Sequence, residues 1–337
     1  MNRPPDEYRT VLPDLLRRFV SDVFVAAGMR PEQSSFLSDL LVTNDLRGVF
    51  SHGTRQVAAY VEHFRAERLT PIAEVTTVQE SPATLVLDGG GGLGYFPCYE
   101  AVTRLVPKAK SVGIAVATTR NHGHFGAAGI YARVPIVHDL FCFVTSGHQL
   151  DLQPDQFVMR AAGGSPMAFG IPTGDEPPFV LDFGAIHDLY GGPDKTRALM
   201  EIAPSTVLRS FGLGCACQAL GGLLCGIPLD PNQANRTWSG ANQGSFLIVV
   251  DIAMLLPTDQ FRREMDAYAR AVRRMMPLPG FEKAYLPGGV EWEQEQWFAR
   301  DGIPVRPKDV QALEKLAEEY RLVCPAFTRP DTSSEAT

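Results

Sequence analysis

The sequence has no C-x-x-C pair, no H-E-x-x-H, no G-x-S-x-G elbow and no Walker-type phosphate loop. These absences argue against the common zinc motifs, an elbow-type serine hydrolase and a P-loop nucleotidase. It also lacks a Lys/Arg-rich run: 31 basic against 38 acidic residues leave a net charge of −7. Such a chain is a poor candidate for binding a phosphate backbone, and no nucleic-acid partner is expected. Long apolar runs are missing too. The most apolar stretch, Phe246 to Leu256, is broken by Asp251 and is too short to cross a bilayer. The start, Met1 to Glu7, is polar and has no apolar core, so a secretory signal is not expected. The six cysteines (Cys98, Cys142, Cys215, Cys217, Cys225 and Cys324) lie mostly in apolar runs and read as buried, reduced thiols of a cytoplasmic protein.

What is present is an ordinary globular composition, 45% hydrophobic and 20% charged, over 337 residues, enough for about two domains. Helical periodicity marks Tyr8–Ala27, a segment from Pro31 to about Asn44, and another from about Thr54 to Arg68. From Glu74 the texture turns to short β-rich runs. Strands are expected at Thr84–Asp88, Gly113–Thr119, Leu140–Ser146, Met167–Pro172, Phe179–Asp182 and Phe246–Asp251, with helical patterns between several of them. Three further helices follow the last strand. The reading is α/β, with residues 1–75 and 255–327 forming a helical domain, 76–254 a sheet-rich domain and 328–337 a disordered tail.

Gly89, Gly91 and Gly94 fit G-x-G-x-x-G after a strand and before a helix. A Rossmann unit would end its next strand in an acid for the ribose hydroxyls. Here that strand, Gly113 to Arg120, carries none, and four consecutive glycines satisfy many patterns by chance. The run reads as a strand-to-helix turn. Chemistry is better placed elsewhere. Ser51-His52-Gly53, followed by Arg55, lies in a polar loop between helices; Asn121-His122-Gly123-His124 follows a strand; Asp182 ends one. An imidazole near neutral pKa is a natural general acid/base, a carboxylate can fix its tautomer, and an arginine can grip an anion at two points.

In order, these segments resemble the malate/L-lactate dehydrogenase family, distinct from the Rossmann-type lactate dehydrogenases. The resemblance rests on Asp45-Leu46-Arg47-Gly48-Val49-Phe50-Ser51-His52-Gly53 and on Arg120-Asn121-His122-Gly123-His124-Phe125-Gly126. Ser165-Pro166-Met167-Ala168-Phe169, Val180-Leu181-Asp182, Leu286-Pro287-Gly288 and Gly302-Ile303-Pro304 extend it over about residues 10–320.

The resemblance implies a non-Rossmann mixed sheet, flanked by helices, as the cofactor domain, with the N- and C-terminal helices forming a second domain. It further implies a homodimer whose active site lies between domains. The implied reaction is hydride transfer between NAD or NADP and C2 of a 2-hydroxy or 2-keto acid. Two alternatives stand beside it: reduction of a cyclic-imine 2-carboxylate, and ligand binding without turnover.

By the same resemblance His52 and His124 are candidate proton donors, Ser51 and Asp182 would relay or orient the proton on His52, and Asn121, His122, Ser146, Ser165 and Arg209 would contact the cofactor. Departures from the family pattern cluster at these positions. Gln56 stands where an arginine is usual, leaving Arg55, or Arg47 before the loop, to hold a substrate carboxylate. His122 replaces a small residue and would enter the cofactor region; Ser165 replaces an amide; Arg209-Ser210 replaces a lysine-glycine pair; and the linker after Asp182 is short.

Overall fold

The computed structural model describes residues 4–185 and 193–329. Of the tail expected to be disordered, residues 330–337 lie outside the described residues, but Thr328 is ordered: its N–H and carbonyl pair with Thr10 at 2.9 and 2.8 Å. Most of the linker after Asp182 also lies outside the described residues. In chain order the elements are β1 (Arg9–Val11), α1 (Pro13–Ala26), α2 (Pro31–Leu46), α3 (Val57–Arg65), β2 (Thr76–Glu80), β3 (Thr84–Asp88), α4 (Tyr95–Val112), β4 (Ile114–His122), α5 (Gly129–Arg133) and β5 (Leu140–His148). Then follow β6 (Pro166–Ile171), β7 (Phe179–Gly184), α6 (Pro193–Ile202), α7 (Pro204–Gln218), β8 (Gln243–Asp251), α8 (Thr258–Arg273), α9 (Gly289–Asp301), β9 (Ile303–Val305) and α10 (Pro307–Tyr320).

The chain divides into two compact units, one of Met1–Ile72 with Gly288–Thr337, the other of Ala73–Pro287. In the first, α1 opens with Pro13, where a missing N–H costs nothing, and buries Leu16, Phe19, Val20, Val23 and Phe24 at helical spacing. Gly28, at φ +96°, ends it as a left-handed cap. A two-stranded antiparallel ribbon ties the termini together, Arg9 facing Val305 and Val11 facing Ile303. Three residues per strand carry too little alternation to be read from sequence.

The second unit is built on a seven-stranded mixed sheet of order β2-β3-β4-β8-β5-β6-β7. Only β3 and β4 pair in parallel; the other neighbours are antiparallel. Strands β3, β4, β5 and β7 therefore run one way, and their C-terminal ends meet the starts of β2, β8 and β6 along one edge. Helix α4 lies on this sheet through Tyr95, Cys98, Ala101, Val102, Leu105 and Ala109, all buried.

Three expectations need correction. The helix expected from Tyr8 starts at Pro13, and Arg9–Val11 before it form β1. The segment 255–287, assigned above to the helical domain, belongs to the sheet unit. Helix α8 is anchored there by polar contacts that periodicity does not show. The Asp266 carboxylate accepts hydrogen bonds from the N–H groups of Gly174, Asp175 and Glu176, and Arg262 donates to Asp139 at 2.7 Å. Strand β2 was not expected. All five of its residues are exposed, so it has no apolar alternation to read. No helix among the described residues is long and apolar enough to cross a membrane.

Candidate active site

In the helical unit the motif around His52 is a pair of 3₁₀ turns between α2 and α3, Phe50–His52 and Thr54–Gln56. Side chains fix it from three sides. Asn44 Nδ2 donates to the His52 carbonyl at 2.8 Å, Gln56 Nε2 donates to the Ser51 carbonyl at 2.6 Å, and Asp45 accepts from Thr54 N–H at 3.0 Å and from its hydroxyl at 2.6 Å. Ser51 Oγ lies 2.8 Å from His52 Nδ1. The two residues expected to act together are thus a hydrogen-bonded pair. Gln56, in the place of the usual arginine, holds the loop backbone.

Both candidate arginines have carboxylate partners in this unit. Arg47 is bidentate to Glu295, at 2.9 and 3.2 Å. Arg55 lies 3.5 Å from Asp309.

In the sheet unit the candidates gather at the edge defined by the C-terminal ends of β4, β5 and β7. Asn121 and His122 end β4, Ser146 is two residues from the end of β5, Ser165 precedes β6, and Asp182 lies near the end of β7. His124 follows β4, half-buried, and its carbonyl accepts from Gly94 N–H at 3.0 Å. Open α/β sheets place their sites at strand ends of this kind. Asp182 Oδ2 accepts from Gly129 N–H at 2.8 Å, at the start of α5. Asn121 sits at φ +55° and donates to Asp88 at 2.7 Å, while its Oδ1 is buried without a partner.

The His122 side chain, expected at the cofactor, is turned into the interior of the sheet unit. It is fully buried, its Nε2 2.8 Å from Thr119 Oγ1 and its Nδ1 2.8 Å from the Gly123 carbonyl. Thr119 in turn meets Ser245 at 2.5 Å, and Ser245 meets Cys98 at 2.9 Å. The cause is a register shift in the β4–β8 pairing between Thr119 and His122, which turns the imidazole inward beneath the glycine turn. Burial pushes its pKa down to about 4, although the Gly123 carbonyl and Asp88 pull the other way. Gly89 and Gly94 press on it; a Cβ at Gly94 would lie 2.5 Å from His122 Nδ1. That contact gives the glycine run a packing role.

Ser146 and Ser165 are buried, with their hydroxyls spent on the Gly244 and Ala162 carbonyls at 2.8 Å each. Ser165 also holds a left-handed φ of +46°. Arg209 stands on the exposed side of α7.

Three features at this edge were not singled out in the sequence. His148 ends β5, its backbone clamped by Gln218, which accepts from His148 N–H at 3.2 Å and donates to its carbonyl at 2.7 Å. Burial, and then Arg160, lower the His148 pKa. A π-helical turn, Ala219–Leu223, follows α7 and brings its glycine backbone onto β5: a Cβ at Gly147 would lie 2.5 Å from Gly222 N. Finally, a cleft of about 850 Å³ opens beside β5, lined by Gln149, Asp151, Gln153, Asp230, Asn232 and Gln233 among others. None of these carries a local sequence signal beyond the Gly-Gly pair.

A model of the malate/L-lactate dehydrogenase family matches residues 11–186 and 192–314. The L-sulfolactate dehydrogenase of Methanocaldococcus jannaschii is 26% identical over 92% of this chain and 97% of its own. The malate dehydrogenase of Pyrococcus horikoshii is 24% identical over 93% and 96%. Its solved structure matches with a TM-score of 0.80, covering 96% of this chain and 98% of that one. The fold also matches the solved delta1-piperideine-2-carboxylate reductase of Pseudomonas syringae pvar. tomato, at a TM-score of 0.70 and 20% identity over 92% of this chain and 100% of that one. The chain is a member of the malate/L-lactate dehydrogenase family, whose enzymes are oxidoreductases acting on the CH–OH group of hydroxy acids.

Proposed function

We propose that the protein transfers a hydride between a nicotinamide cofactor and C2 of a 2-hydroxy or 2-keto acid, with His52 as the proton-transfer residue. The observation that carries this reading is the Ser51–His52 pair on a loop held by Asn44, Asp45 and Gln56. Reduction of a ketone leaves an alkoxide at C2 that must take a proton, and oxidation of the alcohol must release one. With Nδ1 engaged by Ser51, the proton moves at Nε2. Arg55 supplies the cation that a carboxylate needs in a partly dry site, where an unpaired charge would cost several kcal/mol.

The sheet edge has the chemistry to hold a dinucleotide. Asn121 offers a buried acceptor with no partner. The cleft beside β5 has a volume in the usual range for small-ligand sites. Its lining of amides and carboxylates suits ribose hydroxyls, and Arg236, which donates to the lining Gln149 at 3.2 Å, stands beside it. The cofactor in this reading is NAD or NADP. When bound, the nicotinamide supplies the hydride donor or acceptor; the residues named here bind, orient and exchange the proton.

Homodimerisation belongs to the same reading. Leu208, Leu213, Leu223 and Leu224 are exposed on and just beyond α7, an apolar strip of the kind that a second copy covers. Light scattering on the intact protein is expected to give twice the 36.8 kDa chain mass.

The deciding experiment is a fluorescence titration with NADH and NADPH, followed by turnover assays on a panel of 2-keto acids and cyclic imines. Binding of NADH or NADPH, with turnover of a keto acid, is the expected result. No binding of either nucleotide overturns the proposal. Turnover of the imines alone moves it to the cyclic-imine reaction, the activity in the name of one structural relative, since that reaction needs the same hydride and proton.

A further inference from the structure

Asp45 lies in the last turn of α2, and its carboxylate is buried in the helical unit. Both bonds from Thr54 converge on one oxygen, Oδ2. Oδ1 fills the space that a side chain at position 53 would need: a Cβ on Gly53 would lie 1.8 Å from it. Next to it, Asn44 holds the His52 carbonyl. One helical turn thus grips the chain on both sides of Gly53, at His52 and at Thr54. We propose that Asp45 is a positioning residue for the proton-transfer histidine, its carboxylate setting where the Ser51–His52 pair stands.

The surroundings give this contact a dependence on charge. Asp45, Thr54, Arg55, Arg306 and Asp309 line one small cavity with Phe50. Of the charged groups facing Asp45, Asp309 disfavours its ionised form and Arg55 favours it. Burial dominates and pushes the Asp45 carboxyl up to about 7, against the two Thr54 hydrogen bonds. Ionised, the carboxylate is a strong acceptor for both Thr54 donors. Protonated, it must place a hydrogen in the tight space beside Gly53, and the grip on Thr54 weakens. Protonation of Asp45 is therefore expected to loosen the hold on the loop bearing His52, with a midpoint near neutral pH.

The inference rests on the reading of His52 as the proton-transfer residue, so its test has one arm that needs no substrate. In the intact protein, the Thr54 backbone amide and the His52 ring are followed by NMR across pH 5 to 9, with His52→Ala used to assign the ring. Both are expected to move with a shared midpoint near neutrality, and Asp45→Asn is expected to abolish that common step. In the kinetic arm, Asp45→Asn lowers kcat about tenfold through misplacement of the imidazole, with the dissociation constant for NADH unchanged. Thr54→Val, which removes the hydroxyl donor and keeps the N–H bond, changes both readouts in the same direction by less. It carries the test alone if Asp45→Asn does not fold.

A Thr54 step lost without any change in the His52 ring or in kcat makes Asp45 a packing residue and overturns the inference. If no hydroxy acid or keto acid is turned over while the shared step holds, the dehydrogenase reading fails and the coupling of Asp45 to His52 stands.

Discussion

The Arg55 guanidinium lies 3.5 Å from an Asp309 carboxylate whose two oxygens Arg306 already holds, at 2.7 and 2.9 Å. The Arg55 contact is longer than a hydrogen bond, so its planar fork is not committed there. Arg47 is different: both of its donors face Glu295, and both side chains are mostly covered. Of the two arginines, Arg55 is the one that can turn to a substrate at small cost. Arg55→Lys should raise KM for a keto acid by about tenfold or more, because an ammonium cannot reproduce the two-point contact. Arg47→Ala should leave KM alone and lower stability by about 1 kcal/mol, through loss of the Glu295 pair. The reverse pattern in steady-state kinetics and thermal melts would make Arg47 the grip.

Proton transfer by His52 predicts a distinct kinetic split. His52→Ala should reduce kcat by about 10²-fold while the NADH dissociation constant stays near that of the wild type. His124→Ala, at the edge where the cofactor is proposed to lie, should weaken NADH binding as well. Wild-type turnover in His52→Ala, with loss in His124→Ala, transfers the role to His124.

Close backbone contact between the π turn and β5 makes another pair of variants informative. A Cβ at Gly221 would run into the Ser146–Gly147 peptide, whereas one at Gly212 would meet nothing within 4 Å. Gly221→Ala should cost about 1–3 kcal/mol by overpacking. Gly212→Ala, on the same helical segment, should gain up to about 1 kcal/mol from restricting the unfolded chain. Urea denaturation of the two side by side checks both signs; equal effects would mean that the π turn does not bear on β5 in solution.

The sheet was legible because its central strands carry their own apolar pattern. Strand β3 begins and ends where expected, and β4, β5, β6, β7 and β8 differ by three residues at most at either end. What could not be read depends on partners far away in the chain. The exposed edge strand β2 has no pattern, and α8 is assigned by an Asp266 carboxylate that meets a turn some 90 residues earlier. The same division runs through the candidate site. Ser51 and His52 are adjacent, so their pairing is visible in the sequence. Asp45 acquires its environment through Gly53, Thr54 and the distant Asp309, and His148 through the Gln218 clamp and Arg160. His122 shows how local reading misleads: period-two alternation from Thr119 would turn Asn121 inward, and the register shift buries His122 instead.

That burial has a measurable consequence for stability against pH. The His122 imidazole has a folded-state pKa of about 4, below its ordinary 6.5. The unfolded chain therefore binds the proton first, and stability falls as pH drops from about 6.5 towards 4, by an amount on the order of 3 kcal/mol. Asp45 works the other way. Its carboxyl, raised from 3.8 to about 7, takes up a proton in the folded state first, so its contribution is fully present below about pH 4 and is lost as pH rises through 7. Over pH 4.5 to 6.5 the two slopes oppose each other, and the wild type masks both. Single variants should separate them. The deficit of His122→Asn relative to wild type should shrink as pH falls from 7 to 4.5, and that of Asp45→Asn should widen over the same range. Parallel stability curves for either variant and the wild type would mean that the group titrates alike in the folded and unfolded chains, and that its burial is lost in solution.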